Sequence, residues 1–414
     1  MDMIVWLEAL RVTDEPAVGT KAANLGDLMA AGFRVPPAFV ITTDAWRTAR
    51  EHQVPDELLG LLTTAYAKLG RRSREREPRV AVRASVDGHG GGNPSSAGVY
   101  ESVTNVRGVT GIADAVSRCW ASLVSDRAVA YRALRDLPPP SAMAAIVQTM
   151  VPAVKGGLAF STDPTGREPA IVAIEAAYGL PGAVTNGLVE PDRYLVGRRT
   201  EHVVRIKLGT KAMEITPART GEVTTSVPAD LRHARTLSST EASDIAWMTM
   251  AVEAHMGGPQ EVEWCYDARG TLYLLQARSL AIVEDPASRT VHPGAILTAG
   301  APASPGVASG PARVLAQIGE VSLLRDGEVL VVTTPGPEWV PGLERVAAVV
   351  ADRGGVTTHL ASVCRELGIP CVVGTRTATA AIRTGDHVIV HGDDGTVRSA
   401  SIGSVTPVGS GTSR

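Results

Sequence analysis

A glycine pair, two threonines and a histidine at residues 354–359 place that histidine at the first turn of a predicted helix. The glycines allow a tight backbone turn, and Thr357 or Thr358 is positioned to cap the helix. The free N–H groups of the first helical turn then point toward whatever His359 carries, which favours a phosphate. The other eight histidines lack such a setting, and we interpret them as structural or solvated. The sequence therefore predicts that His359 carries a phosphoryl group.

Length, charge and cysteine spacing narrow the classes of function. The chain has 414 residues, enough for two or three domains, and a net charge of −3. No basic stripe interleaved with aromatic residues is present, so nucleic acid is not an expected partner. No apolar run approaches the roughly 18 residues that a membrane span needs. The four cysteines show no CxxC pairing. We expect a soluble, cytoplasmic protein with reduced thiols that acts on small molecules.

The pattern of apolar residues divides the chain into two parts. Short apolar strands alternate with helical patterns through residues 1–280, which predicts an α/β or α+β domain. Residues 281–295 lose this periodicity and gain Pro, Asp, Ser and Gly, which indicates a flexible linker. A second α/β domain is predicted at residues 296–401, with strands on both sides of the His359 helix. The Ser-, Gly- and Thr-rich tail at 402–414 is expected to be disordered.

Three segments of the first domain carry residues suited to a nucleotide. Lys21 lies in the first turn of a predicted helix, where an ammonium reaches phosphate oxygens; an ordinary exposed lysine is the alternative. A strand ending in Arg83 leads into the glycine-rich residues 87–98, whose backbone N–H groups can close over a polyphosphate, unless the loop is merely flexible. Gln148 interrupts an apolar strand and needs a polar partner, such as the edge of an adenine.

A predicted hairpin adds a candidate metal site. Two strands joined by a turn at residues 267–270 carry Glu263 and Gln276, and the register of the hairpin can set these side by side. A carboxylate and an amide oxygen together suit magnesium, and Arg278 shares their face to hold phosphate. A surface hairpin with an ion pair is the alternative.

Taken together, these segments resemble the phosphoenolpyruvate synthase and pyruvate phosphate dikinase superfamily, in layout most closely the rifampin phosphotransferase type. The resemblance covers nearly the whole chain to about residue 400, and also rests on residues 155–166 (KGGLAFSTDPTG), 303–311 (ASPGVASGP) and Pro337-Glu338-Trp339. It implies an ATP-grasp domain followed by a swivelling β/β/α phosphohistidine domain. It further implies a catalytic His359, ATP-binding residues Lys21, Arg83, Gly98, Ser102, Gln148 and Arg278, and Mg²⁺ ligands Glu263 and Gln276.

Several positions depart from the family pattern. The acidic pair of the glycine-rich loop is replaced by His89-Gly90, and a Gly-Leu-Gly-Glu motif ends here in Pro181-Gly182. Ser279 replaces a proline, and Ser102 replaces a threonine. These changes concern the closure of the loop, the reaction rate and the choice of nucleotide. The residues that would bind ATP and Mg²⁺ directly are all present. We therefore expect a working enzyme.

The resemblance implies a dikinase-type phosphotransferase. The β-phosphate of ATP would pass through phosphorylated His359 to a hydroxyl of a small molecule, with release of AMP and phosphate. Neither the pyruvate-binding barrel nor the large acceptor domain of relatives is recognisable, so we do not expect this chain alone to make phosphoenolpyruvate. The acceptor, by analogy an antibiotic or specialised metabolite, would dock between the two domains or on a partner protein.

Two alternatives stay open. The first is a phosphohistidine carrier subunit of a multi-protein system, similar to phenylphosphate synthase or a split phosphoenolpyruvate synthase, in which a partner protein binds the acceptor. The second is a nucleotide-binding module without catalysis, which the altered loop at residues 89–92 makes conceivable.

Overall fold

The computed structural model describes residues 2–49, 51–86, 98–138, 142–280, 282 and 294–400. Within these ranges the chain forms two large antiparallel sheets before residue 280 and a mixed sheet after residue 294. The glycine-rich loop up to residue 97, nearly all of the predicted linker and the whole predicted tail lie outside the described residues. The predictions for those segments therefore stay untested.

The first sheet separates two apolar cores. Its strands are β1 (Ile4–Trp6), β2 (Ala38–Ile41), β3 (Val80–Val86), β4 (Ser102–Val106) and β5 (Met143–Thr149). The order is β1-β2-β5-β3-β4, and every neighbouring pair is antiparallel. Along β2, Ala38 and Val40 pack into one core and Phe39 and Ile41 into the other, because successive side chains of a strand point to opposite faces. The helices here are α1 (Glu15–Ala30), α2 (Thr43–Thr48), α3 (Asp56–Ser73), α4 (Gly108–Ala121) and α5 (Asp126–Leu134).

The second sheet shares one of these cores with the first. The next strands are β6 (Ala153–Phe160), β7 (Ile171–Tyr178), β8 (Asp192–Gly197), β9 (Val203–Lys207), β10 (Met213–Pro217), β11 (Glu222–Ser226), β12 (Gln260–Asp267) and β13 (Leu272–Ser279). β10 and β11 form a separate hairpin, and the others form an antiparallel sheet in the order β13-β12-β6-β7-β8-β9. The helices here are α6 (Gly182–Thr185) and α7 (Ser239–Met256). A capping box of Ser238 and Glu241 fixes the start of α7.

The third sheet carries the His359 helix. Its strands are β14 (Ile296–Ala299), β15 (Ala301–Ser304), β16 (Val307–Leu315), β17 (Glu328–Val332), β18 (Val346–Ala351), β19 (Cys371–Val373), β20 (His387–His391) and β21 (Thr396–Ser399), and its helices are α8 (His359–Leu367) and α9 (Ala378–Ala381). The order is β14-β21-β20-β16-β17-β18-β19-β15, with β16 to β19 parallel. β17 and β18 are almost entirely valine, leucine and alanine because both of their faces are buried. Short 3-10 helices lie at Leu7–Ala9, Val12–Asp14, Ser122–Val124, Ile318–Leu323 and Pro337–Gly342.

One apolar cluster continues from the first sheet into the second domain, which is built on the third sheet. It contains Trp120 and Tyr131 from α4 and α5 together with Trp339 and Leu360 from the second domain. Because Leu360 follows His359 directly, this shared core holds α8 against the first domain. The histidine and the first two sheets thus meet at one place.

The predicted mixed α/β class is confirmed. The helix that was expected to begin at His359 does begin there. Among the described residues, no helix combines the length and apolarity needed to cross a bilayer. The four cysteines are free and buried.

Candidate nucleotide and phosphohistidine site

A cavity of about 330 Å³ lies between the first two sheets, and α8 reaches it from the second domain. Arg83, Ser102 and Gln148 enter it from the first sheet, whereas Glu263 and Gln276 enter it from the second. All nine residues singled out in the sequence line this one cavity: Lys21, Arg83, Gly98, Ser102, Gln148, Glu263, Gln276, Arg278 and His359. The structure therefore brings together side chains that lie up to several hundred residues apart in the chain.

The hairpin of β12 and β13 has the register that the sequence suggested. Glu263 lies opposite Gln276, and Glu261 lies opposite Arg278, to which it is ion-paired. From the first sheet, Arg83 Nη1 lies 2.9 Å from Glu263 Oε2 and 3.2 Å from Gln276 Oε1. A carboxylate oxygen and an amide oxygen thus converge on a single positively charged atom. That is the arrangement a bound cation requires.

This donor set fits magnesium. Among the described residues, no group of three or more His, Cys, Asp or Glu could hold a metal ion without help. Mg²⁺ is commonly bound through one or two carboxylates completed by substrate phosphates and water. Glu263 and Gln276, with Glu261 two residues earlier on the same face, supply that limited set of oxygens.

Lys21 approaches the cavity from α1. The helix bends at Gly19, so Lys21 lies in the first turn after the bend, as the sequence indicated. The backbone N–H of Ala22 donates to Ser85 Oγ at 3.1 Å and fixes this turn against β3. Burial, followed by the positive charges of Arg278 and Arg83, lowers the pKa of the Lys21 ammonium to about 8, although Glu263 acts in the opposite direction.

Gln148 is the last residue but one of β5 and is only 2% exposed. Its Nε2 is fully enclosed and has no hydrogen-bond partner among the described residues. An enclosed donor without a partner is costly unless a ligand accepts from it. The position therefore suits an acceptor on the edge of a nucleobase. Ser102, at the start of β4, lies opposite Arg83 and is exposed.

The expectation that a threonine side chain caps the His359 helix is wrong. Thr358 occupies the N-cap position but makes no capping hydrogen bond through its side chain. The hydroxyl of Thr357 instead donates to Glu175, a residue of the second sheet. Among the described residues, no side chain caps the first turn of α8, which leaves its N–H groups available to an anion on His359.

His359 is held as a neutral imidazole beside cations. Burial, followed by the charges of Arg278, Lys21 and Arg127, lowers the pKa of His359 to about 3. Its Nδ1 is enclosed and has no hydrogen-bond partner among the described residues. Gly98, at φ +61°, packs so closely that a Cβ there would lie 2.9 Å from two ring carbons of His359. A neutral imidazole surrounded by positive charge is a nucleophile positioned to approach a polyphosphate.

Sequence reasoning missed several residues of this site. Glu261 could have been found, because the register that pairs Glu263 with Gln276 also sets Glu261 opposite Arg278. Arg127 lines the cavity from α5, and no local pattern marks it. Of the departures from the family pattern, Pro181 and Gly182 line the cavity, Ser279 ends β13, and His89-Gly90 lie outside the described residues.

Two sheets that enclose a polar cavity, entered by a histidine from an adjoining domain, define the class: an ATP-grasp domain followed by a domain of the phosphohistidine type. Residues 47–293 match the profile of the pyruvate phosphate dikinase AMP/ATP-binding domain, and residues 324–395 match that of the mobile domain of PEP-utilising enzymes. The first match covers more than half of the chain. The chain belongs to the pyruvate phosphate dikinase and phosphoenolpyruvate synthase family.

Relatives of known name agree with this assignment. The chain is 33% identical over 437 residues to a probable phosphoenolpyruvate synthase of Methanothermobacter thermautotrophicus, covering 96% of this chain and 64% of the relative. It is 32% identical over 475 residues to the phosphoenolpyruvate synthase of Pyrococcus furiosus, covering 95% of this chain and 58% of the relative. The chain thus spans about three fifths of the length of these relatives. D-alanyl-alanine synthetase A from Vibrio cholerae is 13% identical over 64% of this chain and 58% of its own, with a TM-score of 0.29, too low to carry an argument.

Proposed function

We propose that this chain is a dikinase-type phosphotransferase that moves the β-phosphate of ATP through His359 to an oxygen of a small-molecule acceptor. The observation that supports the proposal is the shared cavity, where a histidine of one domain lies among Lys21, Arg83 and Arg278 of the other. ATP would bind with its base near Gln148 and its phosphates among these cations. The reaction in sum would be ATP, acceptor and water giving phospho-acceptor, AMP and orthophosphate.

The proposed chemistry proceeds by in-line transfer. The unprotonated ring nitrogen of His359 attacks the β-phosphorus, a P–N bond forms, and the bond to the α-phosphate oxygen breaks so that AMP leaves. Water then removes the γ-phosphate as orthophosphate and leaves phosphohistidine. Lys21, Arg83 and Arg278 offset the charge that develops on the phosphate oxygens, and this positioning supplies most of the catalysis in phosphoryl transfer. Magnesium held at Glu263 and Gln276 would neutralise and order those oxygens.

We propose the acceptor only as a chemical class. An antibiotic or specialised-metabolite hydroxyl is our expectation from the resemblance to antibiotic phosphotransferases. Two relatives are named phosphoenolpyruvate synthase, so pyruvate joins the alcohols and phenols to be tested. A phosphohistidine carrier subunit, with a separate protein that binds the acceptor, is the second candidate.

The direct experiment is to incubate the protein with ATP and magnesium and to separate AMP from ADP. AMP release supports the dikinase route, and release of ADP alone excludes it. Addition of alcohols, phenols or pyruvate then identifies the acceptor class. Stable phosphohistidine without transfer to any of them favours a carrier subunit, whereas ATP binding without AMP release identifies a module that has lost catalysis.

Gln148 gives a prediction about nucleotide binding. In Gln148→Leu the enclosed Nε2 donor is removed while the volume of the side chain is nearly kept. We expect the Kd for ATP to rise about tenfold, the effect of losing one hydrogen bond to a ligand. Isothermal titration calorimetry measures this change, and Gln53→Leu at an exposed position serves as the control. An unchanged Kd would remove Gln148 from the nucleotide site.

The pKa values of His359 and Lys21 give a prediction about pH. Because the pKa of His359 is lowered to about 3, the imidazole stays neutral as the pH falls through its ordinary value of about 6.5. We therefore expect the rate of phosphohistidine formation to show no acidic decline near pH 6.5. Because the pKa of Lys21 is lowered to about 8, its charge is lost as the pH rises above that value, and the affinity of the empty site for ATP should fall there.

A pH series of rapid-quench and ATP-binding measurements checks both limbs. Lys21→Arg is the matched variant, since a guanidinium keeps its charge and should remove the alkaline loss of affinity. An acidic limb with an apparent pKa near that of a free histidine would contradict the environment described for His359.

A further inference from the structure

A single carboxylate interrupts the apolar run of β7. Val172, Ile174 and Ala176 face the core shared with the first sheet, and Glu175 therefore points to the opposite face of the strand. Glu175 is nevertheless only 2% exposed. A buried carboxylate is costly unless its oxygens accept hydrogen bonds. Hydrogen bonds to Glu175 from across the domain boundary therefore have to offset the cost of its burial.

Those partners belong to the loop that immediately precedes His359. The backbone N–H of Val356 donates to Glu175 Oε1 at 3.2 Å, and the hydroxyl of Thr357 donates to Glu175 Oε2. Gly355 lies against the same carboxylate, and a Cβ at that position would collide with it. Both oxygens of Glu175 therefore accept a hydrogen bond from the second domain, one from each of two consecutive residues, and a third residue packs against them.

The other end of α8 is held by the first domain as well. The hydroxyl of Tyr131 donates to Glu366 Oε2 at 2.6 Å, and Arg135 Nη1 donates to the backbone oxygen of Glu366 at 2.7 Å. The helix that carries His359 is thus hydrogen-bonded to the first domain both through its N-terminal loop and at its C-terminal end. The N-terminal contact is the nearer of the two to the imidazole, since Thr357 lies two residues from His359.

We propose that Glu175 is a positioning residue that latches residues 355–357 to the second sheet and thereby holds His359 in the nucleotide cavity. The latch is a structural claim, and its effect on phosphohistidine formation rests on the proposed function. The contact joins a carboxylate of the first domain to donors of the second, so it must break whenever the second domain leaves the cavity. Burial raises the pKa of the Glu175 carboxyl, whereas the charge of Arg193, its neighbour on β8, and the hydrogen bond from Thr357 lower it.

Hydrogen exchange tests the latch without any catalysis. The backbone N–H of Val356 exchanges only when its bond to Glu175 opens. In Glu175→Gln one donor loses its acceptor, because an amide offers a single oxygen. We expect exchange in the peptide spanning residues 354–358 to accelerate about tenfold or more, the effect of leaving one buried donor without an acceptor. A peptide covering His387–His391 in β20 is the internal reference and should not change.

Variants of Thr357, which donates to Glu175, test the same contact without altering the second sheet. Thr357→Val removes the hydroxyl and should accelerate exchange as Glu175→Gln does, whereas Thr357→Ser keeps the hydroxyl and should restore slow exchange. The double variant should show less than the sum of the two single effects, because both break one interaction. Arg376→Gln is the control, since its ion pair with Glu190 also crosses between the domains but Arg376 is largely exposed.

The rate of phosphohistidine formation supplies the second readout. In Glu175→Gln this rate should fall about tenfold while the Kd for ATP stays within about twofold, since Glu175 does not line the cavity. Unchanged exchange in both Glu175→Gln and Thr357→Val overturns the latch. If exchange accelerates as expected but the wild-type chain forms no phosphohistidine, the latch stands and the proposed function fails.

Discussion

His359→Ala should abolish ATP-dependent release of AMP, with a loss of about 10⁴-fold or more, as expected when the nucleophile of a covalent mechanism is removed. No other described histidine lines the cavity, so none can take over its role. The pocket for ATP should persist, because Lys21, Arg83 and Gln148 belong to the other domain. We therefore expect the Kd for ATP to change by no more than about twofold while turnover disappears.

The matched control for this variant is His387→Ala. His387 lies in the same domain at the exposed start of β20 and should be replaceable without loss of activity. A coupled assay for AMP, together with calorimetric titration of ATP, separates the two effects. Turnover of His359→Ala at the original rate would show that the phosphoryl group takes another route.

Glu263→Gln is expected to have the second largest effect. The change keeps the shape of the side chain but removes the charge that pairs with Arg83 and that would help to hold a cation beside Gln276. Loss of one such electrostatic group in an active site commonly lowers the rate by about 10²- to 10³-fold. We expect a loss of that size in phosphohistidine formation and a higher magnesium concentration for half-maximal rate.

A magnesium titration of the initial rate measures both quantities. Glu57→Gln, on the exposed face of α3, is the control for the loss of one carboxylate charge. If Glu263→Gln kept the wild-type rate and the wild-type dependence on magnesium, Glu263 would be a structural partner of Arg83 and nothing more.

The position of Gln276 illustrates what a sequence can and cannot predict. The hairpin and its turn at residues 267–270 follow from local signals, and both are present. Counting back from the turn, however, pairs Glu263 with Leu275, because Tyr266 lies opposite Leu272. A β-bulge between Glu263 and Trp264 shifts the register by one residue and brings Gln276 to the cavity face. The sequence allowed this pairing as one register among several, and only the fold selects it.

The cap of the His359 helix shows a different limit. A threonine before a helix is a sound local signal for a cap. Here the hydroxyl of Thr357 donates instead to Glu175, a buried residue of the second sheet. Contacts made by distant parts of the chain override local patterns, and Arg127 was missed for the same reason.

Labelled ATP tests the central claim most directly, which is that His359 takes the β-phosphate of ATP within this cavity. The protein is treated with ATP labelled at the β- or the γ-phosphate, quenched in alkali to preserve P–N bonds, and mapped by mass spectrometry and radioactivity. We expect β-label on His359, γ-label in free orthophosphate and AMP as the nucleotide product. Retention of γ-label on the protein with ADP as product, or an unmodified His359 under conditions that trap the intermediate, would contradict the claim.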